Sequence, residues 1–242
     1  DKIERFSVRQ SAASIQNPDG RPGIIGKPLY GIYSYRWAGL DPATGDPQGY
    51  LNGEISTDYL GIINNFSADS LVFHGSAVPK IFGSLRNDFS FKGFSMSINL
   101  TYKLGYFFRR QSVSPNYADV LAGYTHQDYQ PRWQKPGDES LTDIPSFVYP
   151  SNIARSTFYR FSQATVERAD HLRLQDIRFS YDLPAFKKGA GDAQIYLYAA
   201  NLGILWRANK YGIDPDVAPV SVTTDHNLPR AFSIAMGIKV KL

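Results

Sequence analysis

The sequence predicts an all-β fold: strands of a large antiparallel transmembrane barrel, joined by alternating short turns and long loops. Three observations carry this expectation. Residues 94–108 alternate almost without fault. Phe94, Met96, Ile98, Leu100, Tyr102, Leu104, Tyr106 and Phe108 fall on one side, and Ser95, Ser97, Asn99, Thr101, Lys103 and Gly105 on the other. Strand side chains point alternately to two faces, so this run has one apolar and one polar face. It is long for a soluble strand and comfortable for a tilted strand crossing a bilayer. The second observation is the tight link Lys92-Gly93 before that run, whose Gly permits the positive φ of a two-residue hairpin. The third is that links between runs are alternately short and long, which sorts the turns to one side and the loops to the other, as in outer-membrane barrels.

The elements follow in order. Asn17-Pro18-Asp19-Gly20, Arg21-Pro22-Gly23, Lys27-Pro28, Asp41-Pro42 and Asp46-Pro47 punctuate the start of the chain. Each Pro fixes φ and removes a donor, so residues 1–79 are expected to form an irregular external loop region with one strand candidate, 29–37. Five strands are expected after it, at about 80–91, 94–108, 171–183, 193–206 and 231–242. Residues 109–170 and 207–230 are expected as long outer loops. The run 171–183 changes phase: Leu172 and Leu174 lie on one side, then Ile177, Phe179, Tyr181 and Leu183 on the other, and a bulge near Gln175 or Asp176 reconciles them. In 193–206 the even positions Tyr196, Tyr198, Ala200, Leu202, Ile204 and Trp206 are read as the apolar face. The last run alternates Phe232, Ile234, Met236, Ile238, Val240 and Leu242 with small or basic residues to the end.

Composition narrows function. The 242 residues include no Cys, 16 Tyr and 15 Phe, with an aromatic content of 14%. A disulfide framework, a thiolate metal site and a catalytic thiol are excluded. No apolar run approaches the length of a membrane helix. The net charge of +4 fits Lys and Arg dispersed over loops better than a nucleic-acid groove. Five strands cannot close a barrel, because the smallest membrane barrels have eight and open edges are not satisfied in lipid. The chain is therefore expected to be the C-terminal part of a larger barrel, which also accounts for the lack of a signal peptide.

The residues that carry a family resemblance are Gly31-Ile-Tyr-Ser-Tyr-Arg-Trp-Ala-Gly-Leu-Asp-Pro-Ala-Thr-Gly-Asp-Pro47, Pro79-Lys-Ile-Phe-Gly-Ser-Leu-Arg-Asn-Asp-Phe-Ser-Phe-Lys-Gly-Phe94, Arg132-Trp-Gln-Lys-Pro-Gly-Asp138, His171-Leu-Arg-Leu-Gln-Asp-Ile-Arg-Phe-Ser-Tyr-Asp-Leu-Pro184, Ala200-Asn-Leu-Gly203 and Tyr211-Gly-Ile-Asp-Pro-Asp216. In this order they resemble the C-terminal portion of SusC/RagA-type TonB-dependent outer-membrane transporters of Bacteroidetes. The resemblance implies a barrel of about 22 strands around a plug domain. It further implies a multi-pass protein of the Gram-negative outer membrane, surrounded by lipid and lipopolysaccharide. A SusD-like surface lipoprotein is the implied lid, and TonB is implied to act through a plug region that this chain lacks. The implied role is nutrient uptake, of glycans or oligopeptides. Leu242 departs from the family's usual aromatic last residue.

Candidate site residues fall into two groups. Tyr102, Tyr106, Phe108, Tyr196, Tyr198 and Phe232 lie near strand ends, where aromatic girdles meet the membrane interfaces. Trp37, Tyr129, Trp133, Trp206 and Tyr211 are loop aromatics that stack on sugar rings or peptide side chains, or else pack the loops together. Lys103 lies on a polar strand face, towards substrate or plug, or simply solvated. Arg155, Arg160, Arg168, Arg173 and Arg178 offer contacts to lipopolysaccharide or an acidic substrate, although such runs are more often ion-paired. His74, His126, His171 and His226 are far apart and read as surface or loop residues without a metal motif. Asp41 and Asp46 read as turn formers, since their spacing is not that of a calcium loop. No nucleophile elbow or phosphate loop is present, so no catalytic residue, metal or cofactor is expected. The alternatives to a transporter segment are a soluble β-rich carbohydrate-binding module and a β-rich hydrolase.

Overall fold

The computed structural model describes residues 2–5, 24–65, 70–113, 120–123, 126–183, 192–217 and 229–241. The chain divides into two compact units. One lies within Asp1–Val78 and Phe107–Glu167; the other comprises Pro79–Tyr106, Arg168–Ala218 and His226–Leu242. No described helix is long and apolar enough to cross a membrane, which says nothing of strands.

In the first unit the chain runs through β1 (Gly31–Tyr35), β2 (Gly39–Leu40), β3 (Pro47–Leu51), β4 (Glu54–Ser56), α1 (Tyr59–Asn64), β5 (Leu71–Ser76), β8 (Phe107–Arg109), α2 (Ile153–Phe161) and β9 (Val166–Arg168). The second unit holds β6 (Ile81–Phe91), β7 (Phe94–Leu104), β10 (His171–Leu183), β11 (Asp192–Arg207) and β12 (Ser233–Lys241). All named strand pairs with stated registers are antiparallel.

The first unit is more ordered than its Pro-rich sequence implies. Pro47 opens β3, the strand position where a missing N–H costs least. Asn52-Gly53 then makes a two-residue turn, with φ of 54° and 92°, that pairs Leu51 with Glu54. Asp58 caps α1 by accepting from the Gly61 amide at 2.9 Å, and Asn152 caps α2 by accepting from Arg155 at 3.0 Å. The core gathers on α2. Fully buried Phe158 lies 5.9 Å from the ring of Tyr35, 5.7 Å from Tyr59 and 6.3 Å from Trp37. Gly49 is required by this packing, because a Cβ there would stand 2.6 Å from Phe158. The segments expected as separate loops, before residue 79 and after 109, thus share one aromatic core.

The second unit is a five-stranded sheet in the order β12-β11-β10-β7-β6. Lys92 and Gly93 form the expected two-residue hairpin, with φ of 48° and 84°. The strands run to 11, 11, 13, 16 and 9 residues for β6, β7, β10, β11 and β12. The run expected as one strand over 94–108 stops at Leu104. Gly105 turns with φ of 75°, and Asp170 Oδ1 accepts from the amides of Gly105 at 2.6 Å and Tyr106 at 3.4 Å, which takes them out of the ladder.

Register builds one continuous apolar face. Ile81, Leu85, Phe89 and Phe91 oppose Leu104, Leu100, Met96 and Phe94. On the other side of β7, Leu172 and Leu174 oppose Tyr102 and Leu100, while Ile177, Phe179 and Tyr181 oppose Ile98, Met96 and Phe94. Gln175 is skipped in both ladders of β10, so the bulge brings its two halves into phase. Further out, Ile195 and Leu197 oppose Tyr181 and Phe179, and Ile238 and Met236 oppose Ile195 and Leu197. This face is bare within the described chain: Phe91 is 71% and Met236 79% exposed.

Two outcomes follow for the first unit. Phe158→Ala is expected to cost about 3–5 kcal/mol, whereas Leu60→Ala, at an exposed site, should stay within about 0.5 kcal/mol. Urea unfolding followed by Trp fluorescence checks this. His74 accepts or donates a 2.7 Å hydrogen bond with Ser34. Burial, aided by the charge of Arg109, lowers its pKa to about 4. The unfolded imidazole titrates near pH 6.5, so between the two values the unfolded chain binds the extra proton. Stability is expected to be full above about pH 6.5, to fall on acidification towards about 4 and then to level off, and His74→Gln should flatten that slope.

Candidate functional site

The polar face of the sheet carries the organised chemistry. At its centre Asp176, buried just after the bulge, accepts from Asn99 Nδ2 at 2.9 Å and pairs with Arg86 at 3.3 Å. Strands β7 and β6 supply those partners because Asn99 opposes both Asp176 and Arg86. Towards the short turn, Asp182 accepts from Gln194 at 2.7 Å and the Arg178 guanidinium lies 4.9 Å over the Tyr196 ring.

At the opposite end of the strands lies a denser cluster. Lys103 of β7 and His171 of β10 oppose one another in register. The segment after β11 returns Asp214 and Asp216 to them. Lys103 Nζ donates to Asp216 at 2.7 Å, and His171 Nε2 lies 3.4 Å from Asp216. Arg173 Nη2 donates to both carboxylate oxygens of Asp214, at 2.6 and 2.7 Å, and to Asp216 at 3.3 Å. Buried His171 is fixed on its other side, with Nδ1 2.9 Å from the Ala169 carbonyl and 3.2 Å from the Tyr106 hydroxyl. Asn209 braces the same segment by exchanging hydrogen bonds with the Ile213 backbone at 2.9 and 3.0 Å. The His171 hydrogen bond, then the Lys103 ammonium, hold the Asp216 carboxyl far below the usual carboxylate range. Burial, followed by the nearby Asp216 and Asp214 charges, raises the Tyr106 phenol. A depressed carboxylate contributes stability above its unfolded pKa and loses it only as pH falls through the folded value. The contacts of Asp216 therefore keep their contribution through mildly acidic and neutral pH.

The structure separates the expected site residues. Of the candidates for substrate contact, Lys103 is in the cluster, and Tyr211 lies on the segment that carries Asp214 and Asp216, with Lys210 Nζ 5.2 Å from its ring. Trp37 packs on Phe158 and, at 6.1 Å, on Tyr159. Trp133 is buried against Gly45, where a Cβ would meet its ring at 2.3 Å, and its Nε1 donates to Glu139 at 3.3 Å. Both are packing residues of the first unit. Trp206 is a strand residue rather than a loop one: it opposes Leu172 in β11 and is half-exposed on the apolar side.

The girdle candidates divide too. Tyr102 lies on the apolar face, its ring over Gly83, and Phe232 is exposed. Tyr106 and Phe108 are buried, so they do not reach an interface. Tyr196 and Tyr198 oppose Ser180 and Arg178, on the polar face. The even series of 193–206 is not the apolar face: Tyr196, Tyr198, Ala200 and Ile204 oppose Ser180, Arg178, Asp176 and Arg173 on the polar side, and Trp206, past the register shift after Ile204, reaches the apolar one. Asn201 adopts φ 56° and Gly203 φ 118°, and Gln175 donates to Asn201 at 3.2 Å, so the irregularities of β10 and β11 are joined.

The histidines also differ from expectation. His171 and His74 sit in strands rather than on loop surfaces, and His226 lies outside the described residues. All five arginines are paired or stacked: Arg155 with Asp46 at 2.7 Å, Arg168 with Asp170, Arg173 with Asp214, Arg160 over Phe161 at 5.0 Å and Arg178 over Tyr196 at 4.9 Å. Asp41 is a turn former, accepting from the amides of Ala43 and Thr44 at 2.9 Å. Among the described residues no group of His, Asp and Glu is arranged to hold a metal ion. The cluster residues missed in the sequence are Asp176, His171, Asp214 and Asp216. Their signal was the Tyr211-Gly-Ile-Asp-Pro-Asp216 stretch, whose two carboxylates have strand cations to meet.

No protein-family model matches the chain. In sequence it is similar to the TonB-dependent receptor P26 of Formosa agariphila, with 26% identity over 163 residues, 62% of this chain and 15% of that protein. In fold it is similar to the RagAB peptide transporter, at 25% identity and TM-score 0.61 over 89% of this chain and 23% of that one. It is likewise similar to the RagAB peptide importer in its open-open state, at 22% identity and TM-score 0.57 over 87% of this chain and 22% of that one. The chain thus spans less than a quarter of the length of each of these relatives, which are a receptor and importers rather than enzymes. Sequence and fold together place the chain's resemblance with a portion of the SusC/RagA-type TonB-dependent outer-membrane transporters.

Proposed function

We propose that this chain is barrel wall and external loop structure of an outer-membrane nutrient importer. The observation that carries the reading is the bare apolar face of the five-stranded sheet, continuous from β6 to β12. Strands of 9 to 16 residues suffice to cross the hydrocarbon core at a tilt. A water-soluble module has no reason to expose an apolar surface of this extent. The outer strands β6 and β12 present unpaired edges within the described sheet, and in lipid such edges require further strands. The remainder of the barrel supplies them in this reading, and the plug lies inside it. The opposite face, with Asp176, Arg178 and Lys103, lines the lumen.

In this scheme the substrate is captured under a SusD-like lipoprotein, the plug rearranges under TonB, and the substrate enters the periplasm. The first unit, with its own aromatic core, takes part in capture in this reading. The similarity to peptide importers supports an oligopeptide cargo over a glycan. This chain contributes surfaces and positioning, not bond-making chemistry.

The reading is tested by substitution on the two faces of one strand in the full-length protein, expressed in the outer membrane. Leu197→Arg is expected to cost about 2–4 kcal/mol of barrel stability and to lower the folded, detergent-extractable yield. Tyr196→Arg, one residue earlier and on the polar face, should be tolerated. Equal tolerance at both positions, or a stable detergent-free monomer from residues 1–242 alone, overturns the barrel reading.

A further inference from the structure

The ion-pair cluster does more than fasten a loop. Its cations, Lys103 and Arg173, stand on adjacent strands fixed by backbone pairing, and His171 is held by Ala169 and Tyr106. Its anions stand on the segment that follows β11. The fit between them is incomplete. Arg173 meets Asp214 through a single nitrogen, Nη2, and its buried Nε has no hydrogen-bond partner among the described residues. A guanidinium binds carboxylate best through two parallel N–H donors, and a buried donor left unmatched is costly. Asp216 in turn divides its carboxylate among Lys103, His171 and Arg173. The carboxylates are thus bound to a rigid cationic surface in a geometry that a free carboxylate can improve on.

We propose that Lys103, His171 and Arg173 form a binding site for carboxylate groups of the imported ligand, and that Asp214 and Asp216 are internal competitors for it. This rests on the importer reading and names its substrate class: acidic oligomers. An arriving carboxylate takes Arg173 through Nε and Nη2 together and Lys103 through Nζ, and the Asp214–Asp216 segment is released from the strands. Because Asp216 keeps its charge well below neutral pH, ligand anions rather than mild acid open the contact. The Coulombic part of the exchange is screened by salt, since Lys103 and Asp216 are both partly exposed.

Two probes carry several carboxylates on different backbones, triglutamate and trigalacturonate, and triglycine serves as the neutral control. Their binding to the full-length transporter in detergent is measured by calorimetry at low salt. Asp214→Asn/Asp216→Asn removes the competitor, and a five-fold or greater tightening is expected for an acidic probe, with triglycine unaffected. Which probe responds assigns the ligand to peptide or uronic glycan. Arg173→Met should abolish the acidic binding, and Lys103→Met, a milder change on an exposed chain, should weaken it at least five-fold while leaving the heat-modifiable barrel band intact. If the double Asn variant binds both acidic probes no more tightly than the parent, or if triglycine shifts equally, the proposal is overturned and the cluster is a structural fastening. That outcome leaves the importer reading standing as long as the protein fractionates with the outer membrane, whereas failure to do so removes both.

Discussion

Phase is the constraint on which the sheet depends. A strand exchanges its two faces with every one-residue slip, so five strands share one apolar face only if each ladder is held in step. Neither β10 nor β11 alternates regularly along its whole length. The bulge that skips Gln175 resets β10, the register shift between Ile204 and Trp206 resets β11, and Gln175 donates a hydrogen bond to Asn201, which holds φ 56° beside the bulge. Beside them Asp176 takes Asn99 and Arg86 on the polar side. The bulge that corrects the apolar face therefore also sets Asp176 at the centre of the polar one. Without that correction Leu172 and Phe179 would lie on opposite sides of the sheet.

From this the rest of the second unit follows. With one face apolar from β6 to β12, the polar side chains gather on the other and find partners there: Arg86 pairs with Asp176 and Gln194 donates to Asp182 across strands, and Lys103 and Arg173 pair with the carboxylates of the following segment. Most such contacts are partly exposed and individually contribute little. Their function is positional, because the strands hold the cations in place independently of what the cations bind. The first unit obeys a different rule. Its order comes from packing around Phe158 on α2, which joins segments far apart in sequence through Tyr35, Trp37 and Tyr59.

Much of the fold is legible in the sequence where local signals agree with tertiary ones. The 94–108 alternation, the Lys92-Gly93 hairpin and the phase change near Gln175 are all visible, since each is a property of neighbouring residues. Tyr196 and Tyr198 fall on the polar face for the converse reason: both parities of 195–199 carry apolar residues, and only the pairing of Ile195 and Leu197 with Tyr181 and Phe179 decides between them. The order of the first unit is hidden in the sequence because Pro signals outweigh the Asn52-Gly53 hairpin, and because the partner of Trp37, Phe158, lies far along the chain. The ion-pair cluster was half visible. Lys103 and the Tyr211-Gly-Ile-Asp-Pro-Asp216 stretch were both marked, but only the folded sheet brings them to 2.7 Å.

Spin-label accessibility along β11 tests the shared phase most directly, and these 242 residues contain no Cys to compete for the label. Labels are placed singly at Ile195, Tyr196, Leu197 and Tyr198 of the full-length protein in lipid bilayers. Collision with oxygen, which concentrates in hydrocarbon, is compared with collision with a water-soluble nickel chelate. The account predicts oxygen-rich, chelate-poor sites at 195 and 197 and the reverse preference at 196 and 198. Uniform accessibility at all four positions, or the opposite parity, would contradict it.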